Sequence, residues 1–144
     1  NVLLCLGQIK TSEPRMLMLR KAEDMGASFP SPVSPHAYVA ASAEIAPASI
    51  IMHHALVNSD AKIGQAAIIN SKALIEHGAE IGPICHISPG AIVNGDAKIG
   101  EGTFVGSNAT IAQGVTVGAG SIISAGVTVL KDVPAGRRIY ENWK

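Results

Sequence analysis

A histidine between two carboxylates stands in the run Ile75-Glu76-His77-Gly78-Ala79-Glu80-Ile81. Imidazole gains and loses a proton near neutral pH, which makes His77 the candidate general base. The chain has five histidines, and a solvent-exposed histidine on its own is ordinary. His36, His53 and His54 have nothing around them that implies chemistry. His77 has Glu76 beside it and a second histidine, His86, nine residues on. Its surroundings become more specific once the elements that must position it are worked out.

Those elements follow from one repeat. From Val33 onward every sixth residue is aliphatic, through Ile75, Ile81, Ile87 and Val93 to Val129. Four residues after each stands a small or β-branched residue, such as Ala73, Ala79, Cys85 and Ala91. Seventeen hexapeptides run in this way without an insertion. A fixed six-residue period marks a parallel β-helix. Each hexapeptide supplies a short strand and a corner, and three make one coil of a triangular prism. The aliphatic residue points inward and the small residue fits the crowded inner corner. The fold class is therefore all-β, with five to six coils.

Residues 18 apart then stack in adjacent coils, about 4.8 Å from each other. His77 falls in a corner column that reads Ser59, His77, Gly95, Gln113. Gly95 leaves a notch beside the imidazole with backbone amides at its floor. Glu76 stands between Asn58 and Asn94 on an outward column. Glu80 belongs with Glu44, Lys62 and Lys98 in a column of alternating sign, which reads as a solvated charge ladder. Two outward columns are apolar: Tyr38, Leu56, Leu74, Ile92, and Ile50, Ile68, His86, Phe104, Ile122. Apolar columns of this length predict an oligomer. His86 interrupts one of them and is expected in or beside the subunit interface.

Before the repeat, residues 2–6 form an apolar run ended by Gly7, which reads as a buried strand. Thr11 and Ser12 are candidate helix caps, Pro14 suits a first turn, and Gly26 is a C-terminal stop. This gives three segments: a strand-helix unit and linker over 1–32, the β-helix over 33–134, and a tail over 135–144 in which Tyr140 and Trp143 cap or dock. Eleven basic and eleven acidic residues give a formal net charge of zero, so nothing predicts binding to nucleic acid or to an anionic membrane surface. Cys5 and Cys85 make no disulfide framework and fit a reducing, cytoplasmic setting. The opening apolar run is too short to span a membrane.

The run Asn70-Ser71-Lys72-Ala73-Leu74-Ile75-Glu76-His77 and the run Ile81-Gly82-Pro83-Ile84-Cys85-His86-Ile87-Ser88-Pro89-Gly90-Ala91 resemble the bacterial hexapeptide-repeat sugar O- and N-acyltransferases. That group includes the sialic acid O-acetyltransferases and the amino-sugar N-acetyltransferases of bacillosamine synthesis. The resemblance covers roughly residues 1 to 136. It implies a left-handed β-helix, a homotrimer, acetyl-CoA as co-substrate, a sugar or nucleotide-sugar acceptor and no metal. It also implies that His77 is the general base, that His86 contacts acetyl-CoA, and that the Gly95 amide stabilises the oxyanion. Gly106, Ser107 and Ala125 then lie along a pantetheine groove between two subunits. Residues 1–32 resemble only the tail of the family's amino-terminal nucleotide-sugar domain, an α/β unit; its opening strand and glycine-rich turn do not precede Val2.

The expected reaction is direct attack of an amine or hydroxyl on the thioester, so Cys85 is not needed as a nucleophile. Many relatives place an acidic residue directly after the catalytic histidine. Here that position is Gly78, and Glu76 or a backbone carbonyl is expected to orient His77 instead. Two other readings share the prism. A γ-type carbonic anhydrase needs three histidines converging on zinc, and its close histidine pair at a five-residue offset is absent. A catalytically incomplete homologue or scaffold would bind acetyl-CoA without turnover.

Overall fold

In the computed structural model, which describes residues 1–144, each hexapeptide gives a two-residue strand and a bend, and all strand pairs are parallel. Three sheets make the faces of the prism. The first holds Tyr38–Val39, Leu56–Val57, Leu74–Ile75, Ile92–Val93, Thr110–Ile111 and Thr128–Val129. The second holds Glu44–Ile45, Lys62–Ile63, Glu80–Ile81, Lys98–Ile99 and Thr116–Val117. The third holds Ile50–Ile51, Ile68–Ile69, His86–Ile87, Phe104–Val105, Ile122–Ile123 and Arg138–Ile139. Leu74 pairs with Leu56 and Ile92, and Glu80 with Lys62 and Lys98, which is the expected 18-residue register.

The second residue of each strand points inward. Ile51, Val57, Ile69, Ile75, Ile87 and Val93 are almost fully buried, as are the small residues Ala55, Ala61, Ala73 and Ala79. One inner-corner column is polar and still satisfied. The side chains of Ser49, Cys85, Thr103 and Ser121 donate to the carbonyls of Gly64, Gly100, Gly118 and Pro134 at 2.8, 3.0, 3.1 and 3.2 Å. At Gly64 the backbones of successive coils come so close that a Cβ would sit 2.7 Å from the carbonyl carbon of Gly82.

The single helix, α1 (Glu13–Asp24), packs along the edge between the second and third sheets. Its start has Pro14 in the first turn and Thr11 Oγ1 accepting from the Glu13 amide at 3.2 Å. Ser12 sits at the cap position without a side-chain cap bond. At the other end Gly26 (φ 70°) donates to the Glu23 carbonyl and Ala27 to the Ala22 carbonyl, a Schellman stop. Leu4 and Leu19 pack with Ala48, Ala66 and Ile84 of the edge, supported by Met16 and Phe29.

Three expectations change. Residues 2–6 are not a buried strand: they join no sheet, and only Leu4 among them is buried. A strand needs an open edge to pair with, and this segment meets the prism's side, where every sheet presents side chains. The outward column Ile50, Ile68, His86, Phe104, Ile122 does not depend on an oligomer for all of its cover. Ile68 is buried within the chain, and His86 is held by the backbone of Gln8. Residues 135–144 prolong the prism as a shortened coil: Arg138 pairs with Ile122 and Trp143 bridges to Val129. Trp143 does dock, donating Nε1–H to the Asp132 carbonyl at 3.1 Å, with Lys131 Nζ 5.3 Å from its ring centroid. The column Tyr38, Leu56, Leu74, Ile92 stays uncovered by the chain itself, Tyr38 being 60% exposed. No helix is long and apolar enough to cross a membrane.

Candidate active site

His77 sits on the edge where the chain turns from the first sheet (Leu74–Ile75) to the second (Glu80–Ile81). Its carbonyl accepts from the Asp96 amide at 2.9 Å, which fixes the corner against the next coil. The imidazole is exposed and leans over Gly95. A Cβ at Gly95 would lie 2.6 Å from both Cε1 and Nε2 of the ring, so the column arrangement read from the sequence is present. Neither ring nitrogen has a partner within the chain.

The polar column beside it decides which amides are free. Asn58 Oδ1 accepts from the Ser59 amide at 2.8 Å, and Glu76 Oε2 accepts from the His77 amide at 3.2 Å. Asn94, next in the column, turns its Nδ2 to the Ile111 carbonyl at 2.7 Å instead. The Gly95 N–H is therefore left without a partner, directly below the imidazole. Glu76 also accepts from Asn58 Nδ2 at 3.0 Å. Its carboxylate caps a backbone amide and does not reach the His77 ring, so the orienting part expected of Glu76 is not what the structure places there.

Glu80 stands apart from this group. It pairs with Lys98 at 3.2 Å in the charge ladder, with both side chains about half exposed, and such a pair contributes little.

The remaining predicted residues gather on a different edge, between the third and first sheets. Gly106, Ser107 and Ala125 lie in its corners, and His86 leans toward it from the third sheet. Asn70 Nδ2 donates to His86 Nε2 at 3.1 Å, and His86 Nδ1 donates to the Gln8 carbonyl at 2.9 Å. These partners define a neutral ring protonated at Nδ1, and burial holds its pKa below the usual histidine value. Phe104 meets the ring edge-on at 5.4 Å between centroids. An open cleft of about 500 Å³ runs between His86 and residues Gly7–Lys10. Higher up, Ala125 lines a second cleft of about 320 Å³ with Ile9, Lys10, Phe104, Arg138 and Tyr140. Gly106 is a packing glycine as well, because a Cβ there would come 2.5 Å from the Ala125 amide.

One chain thus divides the predicted residues between two edges. His77, Glu76 and Gly95 share one; His86, Gly106, Ser107 and Ala125 share another. Cys85 lies inside the prism, donates to Gly100, and has its thiol pKa pushed up to about 12 by burial, which leaves it inert as a nucleophile.

Sequence reasoning missed Arg15. It is 1% exposed, and it ties α1 to the prism through Nη2 to the Ala66 carbonyl at 2.6 Å and Nη1 to Gln8 Oε1 at 3.3 Å. Burial lowers its pKa, and its Nε has no partner.

The pattern of the bacterial transferase hexapeptide family (six repeats) matches residues 96–131. The chain carries the bacterial transferase hexapeptide repeat. Among curated proteins no sequence matches this hexapeptide-repeat chain. Solved structures do. It is similar to the acetyltransferase domain of PglB from Neisseria gonorrhoeae FA1090, with 31% identity and a TM-score of 0.87 over 90% of this chain and 63% of that one. It is similar to a perosamine N-acetyltransferase variant from Caulobacter crescentus, in complex with CoA and GDP-perosamine, with 34% identity and a TM-score of 0.85 over 88% of this chain and 60% of that one. WeeI from Acinetobacter baumannii AYE matches with 27% identity and a TM-score of 0.85 over 90% of this chain and 64% of that one. The resemblance to sugar acyltransferases therefore holds in the repeat and in the fold. This chain spans 60–64% of the length of these structures.

Proposed function

We propose that this chain is the acyl-transfer unit of an acetyl-CoA-dependent sugar N-acetyltransferase. The acceptor is an amine on a nucleotide-linked sugar, and the reaction is direct transfer. The observation that carries this reading is the pairing at one corner of an exposed, unpartnered imidazole, His77, with an unpartnered backbone donor, the N–H of the buried Gly95 beneath it. Attack of an amine on a thioester needs both: a base to take the proton as the C–N bond forms, and a donor for the oxyanion that develops on the carbonyl oxygen. Collapse of that tetrahedral species breaks the C–S bond, and the proton held by His77 is available to the departing thiolate.

The amine is favoured over a hydroxyl by the perosamine enzyme among the solved neighbours, which is an N-acetyltransferase by name and is bound to CoA and GDP-perosamine. A structure of the PglB domain contains acetyl coenzyme A, which supports the same co-substrate here. Residues 1–32 are then the end of a nucleotide-sugar-binding domain, consistent with the share of the matched structures that the chain spans.

The split between two edges supports an assembly in which the His77 edge of one copy faces the Gly106 edge of the next. A closed homotrimer meets that need three times over, with the uncovered column Tyr38, Leu56, Leu74, Ile92 as the apolar surface to bury. The deciding experiment is a thiol-release assay with acetyl-CoA against nucleotide-linked amino sugars and sialic acid, run beside His77→Ala. Acetyl-CoA turnover that depends on an amino sugar and disappears in His77→Ala is the expected result. Full turnover in His77→Ala would overturn the mechanism.

A further inference from the structure

Residues 5–11 lead from Leu4 to α1 as a strap that joins no sheet, and all but one of them are exposed. The exception is Gln8, 6% exposed, while its neighbour Ile9 is 66% exposed. Apolar burial alone would order these two the other way. Gln8 is inside because of what it bonds.

Its side-chain amide is held at both ends. Oε1 accepts from Arg15 Nη1 at 3.3 Å, and Nε2 donates to the Gly102 carbonyl at 3.4 Å. Arg15 is itself fixed to the prism, donating from Nη2 to the Ala66 carbonyl at 2.6 Å. The corner at Gly102 admits the strap because it has no side chain: a Cβ there would come 2.7 Å from Ser12 Oγ.

These bonds decide where the Gln8 carbonyl stands, and that carbonyl accepts from His86 Nδ1–H at 2.9 Å. Any residue would supply the carbonyl; the glutamine side chain fixes its place. The far side of the ring agrees. The Ser71 amide donates to Asn70 Oδ1 at 2.7 Å, so Asn70 must turn Nδ2 to His86, and that donor meets Nε2 at 3.1 Å. A ring protonated at Nε2 would set donor against donor there. His86 is thus clamped between the strap and Asn70, in the wall of the cleft of about 500 Å³ that it shares with Gly7–Lys10.

We propose that Gln8 is the positioning residue for His86, and that Arg15 on α1 holds Gln8 in that role. The ligand served is acetyl-CoA, which rests on the acyl-transfer reading. The clamp readies the ring before the thioester arm arrives, so its loss weakens binding.

Two variants separate bonding from packing. Gln8→Met keeps the length of the side chain and removes both of its bonds. Gln8→Glu keeps an acceptor for Arg15. In the full chain the His86 Nδ1–H proton should give a slowly exchanging NMR resonance, assigned by its loss in His86→Gln. Gln8→Met should lose that resonance to exchange with water. Its Kd for acetyl-CoA, by calorimetry, should rise about fivefold, the equivalent of one net hydrogen bond. Gln8→Glu should keep both near the parent. Arg15→Met, which leaves Gln8 without its anchor, should move both in the direction of Gln8→Met. A resonance that persists in natively folded Gln8→Met overturns the proposal and leaves acyl transfer standing. A lost resonance with an unchanged Kd also overturns it, because the clamp then serves the fold alone. A parent chain that does not bind acetyl-CoA overturns the acyl-transfer reading, and with it the role of the clamp.

Discussion

The His77 imidazole lies across the Cα of Gly95 so closely that a single methyl group there would sit 2.6 Å from Cε1 and Nε2. Gly95 does not have a left-handed backbone, so alanine is not strained at this position by its own dihedrals. Gly95→Ala should therefore leave the prism intact and push the exposed ring out of the notch. The expected outcome is an acetyl-transfer rate lower by roughly 10²-fold with a Tm close to that of the parent. Comparing kcat with a thermal melt checks both halves.

Glu76 separates a capping role from a catalytic one. Glu76→Gln keeps an oxygen for the His77 and Asn58 donors and should keep nearly full activity. Glu76→Ala removes the cap from both and should lower stability by about 1 kcal/mol, with a smaller loss of rate. Urea denaturation of the two variants, alongside kcat, distinguishes these outcomes. A large fall in kcat for Glu76→Gln with unchanged stability would return the carboxylate to the chemistry.

The prism was legible because its inner positions admit little choice. Ile75, Ile81, Ile87 and Val93 must each fill the same volume, so the period survives in the sequence. The stacking of Gly95 on His77 followed from that period alone. What stayed hidden depends on bonds that leave no trace in residue type. His86 is held by a backbone carbonyl of Gln8, which any residue at that position supplies. Arg15 occupies a helical stretch where an arginine ordinarily reads as solvated, yet the edge beside Ala66 buries it. The run 2–6 has the apolar pattern of a strand, but a closed prism offers no free edge at its flank for it to join.

Two buried groups give opposite pH signatures. The Cys85 thiol, ordinarily 9.0, is pushed up to about 12 in the folded chain by burial. Above pH 9 the unfolded chain releases this proton and the folded chain does not, so stability should fall as pH rises from 9 toward 12. Cys85→Ala should remove that part of the alkaline decline. His86 is held below its ordinary 6.5 by burial. Below that pH the unfolded chain takes up a proton that the folded chain refuses, so stability should fall on acidification, and less so in His86→Gln. Denaturation midpoints across pH 4 to 11 measure both. Exposed Cys5 should alkylate readily at pH 8 while Cys85 stays protected until unfolding.

Arg15 fastens α1 to a core that does not need it. Arg15→Ala strips a donor from the Ala66 carbonyl and from Gln8 and leaves a void, which should cost about 2–3 kcal/mol. Arg15→Met keeps the packing volume, removes an unpaired buried charge, and should be closer to neutral. Hydrogen exchange locates the effect: amides of residues 13–27 should lose protection in Arg15→Ala while those of Ile75, Ile87 and Val93 keep theirs.

The separation of His77 from Ala125 on two edges makes a further prediction about assembly. If the site forms between copies, a chain lacking His77 and a chain with a blocked groove can complement each other. His77→Ala removes the base. Ala125→Trp, at an exposed corner, should fill the cleft of about 320 Å³ without disturbing the core. Each variant alone should be inactive. Refolded together at equal concentration, random assortment places an intact His77 opposite an intact Ala125 in about a quarter of sites, and activity should recover toward that fraction. Leu74→Asp, in the uncovered apolar column, supplies the companion measurement. It should shift the assembly to monomer by light scattering and abolish transfer while circular dichroism stays native. No recovery on mixing, in chains shown to exchange subunits, would place base and groove in a single copy, contrary to the geometry of the prism.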